Sequence, residues 1–249
     1  MLVGGVEVAW YGSAHRVVMA LGTFVWLYHF NLFPSLVRAR EAGGDALGDL
    51  LERSFRVAAW AGVAGGLAAT LYAGPICRAA YGADFADAAL PFAVIAWAMP
   101  VTLASGHARF SLLAAGLQRY ELRAQIASAL LTLGLGLLLV PLYGARGAAC
   151  GMLAGSIVAW LVAQHFATRH VGPVPFLGAL LRPALAAAAA AAVWALLSPV
   201  SAWAAGGVAL AVYLLGALLL EPALLRDLRA LRAEAAAGAG AGASGGAHP

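Results

Sequence analysis

Hydrophobic residues run along the chain in long blocks that charged residues separate. Five blocks hold 21 or 22 consecutive residues without Asp, Glu, Lys or Arg. A helix needs about 20 mostly apolar residues to cross the hydrocarbon core of a bilayer, so each block predicts one transmembrane helix. The five blocks are residues 17–37, 57–77, 88–108, 124–145 and 147–168.

A sixth uncharged block covers residues 183–220, which is too long for one span. Ser198 and Pro199 interrupt it, and proline blocks continuation of a helix. We therefore predict two helices there, at about 176–197 and 203–220. The total is seven spans, which predicts an all-α polytopic membrane protein. The expected organisation is a segment outside the membrane (1–16), a helical lobe (17–221) and a tail (222–249).

Composition supports a membrane protein and excludes several other classes. Hydrophobic residues make up 63% of the chain and charged residues only 10%, against about 45–50% and about 25% in soluble domains. A soluble enzyme, a nucleic-acid-binding domain and a disordered chain are therefore excluded. The two cysteines stand in no CxxC or Cys/His spacing. We expect no metal, no cofactor, no nucleic-acid partner and no enzymatic activity.

The arginines predict the orientation of the helices. Eleven lie in the segments after the first, third, fifth and seventh spans, and three lie in the alternate segments. Because basic loops stay in the cytoplasm, we expect a cytoplasmic C-terminus, an outside N-terminus and an inner-membrane location. Leucines and arginines alternate in the tail as in an amphipathic helix on an anionic leaflet, although a solvated helical stub fits as well. Residues 238–249 are rich in Gly and Ala and predict disorder.

The third span carries an unusual number of polar residues. If it continues to Leu117, as its apolar residues indicate, the span covers 88–117 and Arg109 lies at membrane depth. Thr102, Ser105 and Arg109 then fall within about 60° of one another on the helix, and His107 lies on another face. Buried ionisable groups face a cavity or a partner, and a guanidinium suits phosphate.

Two interpretations of Arg109 stay open. It either contacts an anion in a polar cavity, or it forms an interhelical ion pair or extends to the interface. Under the first interpretation, Arg109→Ala abolishes transport and leaves the amount of protein unchanged. Pro100 predicts a kink in the same span.

The first span supplies the other candidates. Arg16, at its outer end, lies either at a cavity mouth or as an interfacial anchor. His29 is either a proton-responsive group or part of a satisfied interhelical hydrogen bond. Asn31 follows it by two residues. The candidate substrate-binding residues are therefore Arg109, Arg16, His107, Ser105, Thr102 and Asn31.

Glycine pairs predict close helix contacts. Gly62 and Gly66, and likewise Gly151 and Gly155, stand four residues apart inside predicted spans. This GxxxG spacing lets the backbones of two membrane helices approach each other.

Several stretches resemble motifs of one transporter family. Residues 8–16 (VAWYGSAHR) look like its "vG-x-Y-x-x-A-x-R" stretch, with the order of Gly and Tyr shifted, and residues 80–88 (AYGADFADA) look like its "fG-x-x-y-x-x-A" loop. Residues 139–149 (LVPLYGARGAA) are similar to its "l-i-P-x-x-G-x-x-G-A-A" hairpin, and residues 114–119 to its "l-x-a-x-G-r" stretch. The chain thus resembles the C-terminal half of bacterial polysaccharide-export flippases of the multidrug/oligosaccharidyl-lipid/polysaccharide superfamily.

The resemblance implies one lobe of a two-lobed helical transporter. Such a protein moves a lipid-linked oligosaccharide across the cytoplasmic membrane for surface polysaccharide or O-antigen synthesis, and basic groups in a central cavity hold the pyrophosphate head. Arg109 and Arg16 are then the expected head-group contacts. The implied partners are the lipid-linked oligosaccharide, membrane lipids, an N-terminal lobe absent from this sequence and other polysaccharide-assembly proteins.

Three alternatives remain open at this stage. A multidrug exporter of the same superfamily is the first, although the spans contain no central acidic residue. A membrane-embedded glycan polymerase or ligase is the second, although no large outer loop is predicted. The third is a truncated or split lobe without activity of its own.

Overall fold

A computed structural model describes residues 4–175, 177–199 and 201–231. These residues form helices and short connections and contain no β-strand, so the all-α prediction is confirmed. The α-helices in chain order are α1 (Gly5–Ala42), α2 (Ala46–Leu71), α3 (Ala73–Tyr81), α4 (Ala89–Ala96), α5 (Ala98–Ala114), α6 (Gln118–His170), α7 (Leu177–Leu197) and α8 (Ala202–Leu220), with a 3-10 helix (Ala83–Ala88) before α4.

Two of the predicted spans are interrupted, and the first of them is bent. The helices α2 and α3 meet at 67°, where Tyr72 leaves the helical conformation with φ −105° and ψ 12°. The helices α4 and α5 meet at Trp97. Pro100 explains this second break, because a proline removes its own N–H and clashes with the carbonyl four residues earlier, here that of Ala96. A break between two helices thus lies beside Pro100, and a kink at this point stays a prediction.

The 53-residue helix α6 is a hairpin of two arms. Gly144 has φ 54° and ψ −129°, which only glycine adopts readily, and it divides α6 into a first arm (118–143) and a second arm (145–170). Among the described residues, five helical stretches are long and apolar enough to span a membrane, with Ala83–Ala114 counted as one, or six when α2 and α3 count as one span. Division of α6 at Gly144 adds one more stretch of span length, and the seven-span organisation stays a prediction.

Small residues bring the helices together at the predicted contacts. A Cβ on Gly155 would overlap the Thr132 hydroxyl of the opposite arm of α6, and a Cβ on Gly147 would overlap the Leu139 carbonyl. Gly62 of α2 faces Pro100 of α5, with 3.0 Å from its Cβ position to the Pro100 Cα. The predicted close packing is confirmed for Gly62 and Gly155, and Gly147 makes a close contact that was not predicted.

The two ends of the bundle differ in their polar contacts. At one end, called here the hairpin end, the Glu7 carboxylate accepts a hydrogen bond of 2.9 Å from the Ala145 N–H, and so caps the second arm of α6. Glu7 lies in α1, which begins at Gly5. Residues 5–16, expected to precede the first span, are thus helical and continuous with it.

The opposite end, called the arginine-rich end, is held by an ion-pair network. The Glu221 carboxylate lies 3.2 Å from Arg56 of α2 and 2.9 Å from Arg182 of α7. Asp227, in the helical segment 224–231, lies 3.4 Å from the same Arg56. The beginning of the predicted amphipathic tail therefore packs on the bundle, whereas residues 238–249 lie outside the described residues.

Large apolar side chains cover much of the surface. The most apolar 18-residue window of α6 has none of its residues buried. Exposed leucines of this kind are normal where lipid is the solvent, and in water such a surface would aggregate. The structure is that of a polytopic helical membrane protein.

Candidate functional site

The helix α1 presents an uncovered face with polar residues along it. Arg16, Thr23 and Asn31 are all exposed, and at 100° per residue they fall within about 80° of one another. Arg16 and Asn31 are about 22 Å apart along the helix axis, at a rise of 1.5 Å per residue. Polar groups that face lipid are costly, so water or another protein surface would stabilise the polar residues of this face, which also carries the exposed Leu27.

Two histidines lie together in the interior between α1, α2 and α5. The His29 and His107 rings stand 5.3 Å apart at 79°, and both side chains are buried. The His107 Nε2 is 3.2 Å from the Tyr28 hydroxyl, and its Nδ1 is 3.1 Å from the Leu103 carbonyl. The Tyr28 hydroxyl also donates to the Ser54 carbonyl at 3.1 Å. His107 is thus fully buried within an internal network.

His29 joins α1 to α5. Its Nε2 lies 3.1 Å from the Leu103 carbonyl of α5, and its Nδ1 lies 2.9 Å from the Val25 carbonyl of its own helix. This geometry confirms the interhelical hydrogen bond expected for His29. Gly106 makes the approach possible, because a Cβ there would overlap the His29 ring.

The two hydroxyl candidates of α5 have different surroundings. Ser105 is 3% exposed and donates to the Thr102 carbonyl at 3.1 Å. Thr102 is half-buried and lines a cavity of about 370 Å³ between α1, α5 and the second arm of α6. This cavity is largely apolar, with Trp26 and Met152 among its walls.

Arg109 forms an ion pair with Glu121 of α6. Both its Nε and its Nη2 lie 2.7 Å from the Glu121 Oε1. The side chain of Arg109 is 29% exposed and that of Glu121 is 13% exposed. Gln125 donates to the same oxygen at 2.8 Å, whereas the Glu121 Oε2 is buried without a hydrogen bond. Of the two interpretations of Arg109, the structure therefore shows the ion pair, and contact with a substrate remains a prediction.

The six candidates do not form one site in this structure. His107 and Ser105 lie inside the bundle, and Arg16 and Asn31 lie on the uncovered face of α1. Glu121, the ion-pair partner, escaped prediction although it stands in the first turn of the helix that follows Arg109.

The contacts of Tyr28 and Gly106 with the two histidines were not predicted from the sequence. Tyr28 and Gly106 escaped notice because aromatic residues and glycines are common in membrane helices. Among the described residues, no group of three or more His, Cys, Asp or Glu side chains is placed to hold a metal ion.

The fold defines this chain as a polytopic helical membrane protein. It is similar to a solved structure described as lipid II flippase MurJ in an inward closed conformation, with a TM-score of 0.73 and 16% sequence identity. The similarity covers 88% of this chain and 48% of the flippase, so the chain spans about half the length of the protein it matches. No protein-family model matches the sequence, and no curated protein sequence matches it.

Proposed function

We propose that this chain is one lobe of a flippase that moves a lipid-linked oligosaccharide across the cytoplasmic membrane for surface polysaccharide or O-antigen synthesis. The observation that carries the proposal is the shared fold with a protein described as a lipid II flippase. The motif resemblance agrees with it, since residues 139–149 form a hairpin turn around Gly144. The neighbour is a transporter in its printed description, which favours transport over the polymerase or ligase alternative.

The uncovered face of α1 is the proposed wall of the translocation path. A pyrophosphate head cannot cross hydrocarbon without compensation, because an unpaired charge there costs several kilocalories per mole. Exposed Arg16, followed by Thr23 and Asn31 along the same face, offers a cation and hydrogen-bonding groups at two depths. Arg109 serves as a second cation when the head group takes the place of Glu121, which now holds it.

A second helical lobe is the proposed partner. The matched flippase chain is about twice as long as the part that this chain resembles, and one wall of polar residues does not enclose a path. A second lobe, in the same or a separate polypeptide, would cover α1 and complete the cavity. We further propose that the arginine-rich end lies in the cytoplasm, as the positive-inside rule predicts.

The proposal can be tested by replacing Arg16 in the native host. A strain lacking the gene is complemented with the wild type, with Arg16→Gln or with Arg146→Gln, a matched control because Arg146 is also exposed. We expect Arg16→Gln to lose surface glycan and to accumulate the lipid-linked oligosaccharide, with normal amounts of protein in the membrane. Arg146→Gln should behave as the wild type.

Two results would count against this function. Normal glycan export by Arg16→Gln would remove Arg16 from the path. A gene deletion that changes drug resistance and leaves both surface glycan and its lipid-linked precursor unchanged would refute flipping and favour the multidrug exporter.

A further inference from the structure

A cluster of arginine and aromatic side chains occupies the arginine-rich end of the α6 hairpin. The Tyr120 ring stacks on Phe166 and on His170 of the second arm, with centroids 4.5 Å apart in both cases. The Arg119 guanidinium lies 4.8 Å from the Tyr120 ring centre and that of Arg123 lies 5.2 Å from it. Cation–π contacts of this length hold a guanidinium over a ring, so two positive charges are positioned on one aromatic platform.

No carboxylate neutralises these two arginines within the described residues. Both are exposed, and neither takes part in an ion pair within 4.0 Å. Three other arginines of the same end of the bundle, in contrast, bind Glu or Asp side chains. These are Arg56, Arg109 and Arg182. The cluster therefore leaves two guanidinium groups available to an anion.

An apolar stripe continues from the two arginines along the first arm of α6. It consists of side chains that are 50–65% exposed, namely Leu122, Ile126, Leu130, Leu133 and Leu137. At 100° per residue these positions fall within about 80° of one another, Arg119 lies inside the same arc, and Arg123 lies about 20° beyond it. From Leu122 to Leu137 the stripe is about 22 Å long, roughly three quarters of the thickness of the hydrocarbon core.

We propose that this surface binds a phospholipid with an anionic head group. Its phosphate contacts Arg119 and Arg123, because a guanidinium offers forked donors that match phosphate oxygens. An acyl chain lies along the stripe from Leu122 onwards, since the cations and the apolar residues share one face. The Tyr120 ring holds both guanidinium groups beside the Leu122 end of the stripe. The two positive charges are therefore followed by apolar side chains, as the head group of a phospholipid is followed by its acyl chains. This site is separate from the α1 face and does not depend on the function proposed above.

The experiment measures lipids bound to the intact purified protein by native mass spectrometry. The wild type, Arg119→Gln/Arg123→Gln and Arg78→Gln/Arg146→Gln are each mixed with equal amounts of phosphatidylglycerol and phosphatidylcholine. The last variant is the matched control, because it removes two exposed arginines from elsewhere on the bundle. Both double variants change only exposed side chains, and thermal unfolding of each protein in detergent confirms that it is folded.

We expect the wild type to prefer phosphatidylglycerol. The Arg119/Arg123 variant should bind this lipid at least about tenfold more weakly, because each basic residue near anionic lipid contributes about 1 kcal/mol to binding. The control variant should keep the preference, and binding of phosphatidylcholine should stay the same in all three proteins. Wild-type occupancy in the Arg119/Arg123 variant would overturn the proposal. Displacement of phosphatidylglycerol by millimolar inorganic phosphate would also overturn it, since the site would then select phosphate without the lipid.

Discussion

The ion pair between Arg109 and Glu121 permits a test that separates structure from transport. Replacing Arg109 with Gln removes the cation whose Nε and Nη2 both lie 2.7 Å from the Glu121 Oε1. The carboxylate, 13% exposed, keeps only the neutral donor Gln125. A buried charge that loses its partner costs about 3–5 kcal/mol. Because the Arg109 side chain is 29% exposed, water screens part of this cost and we expect about 2–3 kcal/mol.

A second variant removes the cause of that loss. Arg109→Gln/Glu121→Gln takes away both charges, and replacement of a whole buried pair is often close to neutral. We expect its free energy of unfolding to return to within about 1 kcal/mol of the wild type. The measurement is a titration of the purified proteins from mild detergent into SDS, with the amount of each protein in the membrane as a second readout.

Transport is then measured in the same variants by surface glycan. If Arg109 contacts the head group, the double variant is stable and still fails to export. Normal export by the double variant would refute a substrate role for Arg109 and leave it as a structural residue. A free energy of unfolding for Arg109→Gln equal to that of the wild type would refute the stability estimate itself.

Two further predictions concern packing and the network of the arginine-rich end. We expect Gly106→Ala to lower the free energy of unfolding by about 1–3 kcal/mol, because the added Cβ overlaps the His29 ring. The control Gly134→Ala has open space around the added Cβ and should be neutral or stabilising. We expect Glu221→Gln to lower the thermal stability in detergent, because its buried carboxylate neutralises two arginines, and Glu41→Gln, at an exposed position, to have no effect. Equal stability of each variant and its control would contradict these expectations.

The structure changes one expectation about Arg109 drawn from the sequence. If Arg109 faced a cavity without a partner, its replacement would leave the amount of protein in the membrane unchanged. The structure instead places Glu121 against it, so removal leaves an uncompensated carboxylate and the amount of protein should fall. Periodicity along one helix could not show this, because the partner belongs to the next helix and the distance depends on how the two pack.

Span positions were predictable because the bilayer imposes them. The last two predicted spans, 176–197 and 203–220, agree closely with α7 (Leu177–Leu197) and α8 (Ala202–Leu220). The division of α6 was predictable from the two apolar blocks on either side of Arg146, and the break between α4 and α5 lies three residues before Pro100. These features depend on local rules, since helix length follows membrane thickness and both glycine and proline act on their own backbone.

The sequence by itself determined that the chain is an all-α membrane protein and where its apolar segments lie, although α1 and α2 begin at Gly5 and Ala46, well before the predicted 17 and 57. Only the tertiary structure decided which polar residues face one another. It buried His107 beside His29, paired Arg109 with Glu121, and left Arg119 and Arg123 uncompensated on the Tyr120 ring. The physical reason is that hydrophobic transfer acts on each segment independently, whereas a salt bridge or a ring stack requires two segments to meet within a few ångströms.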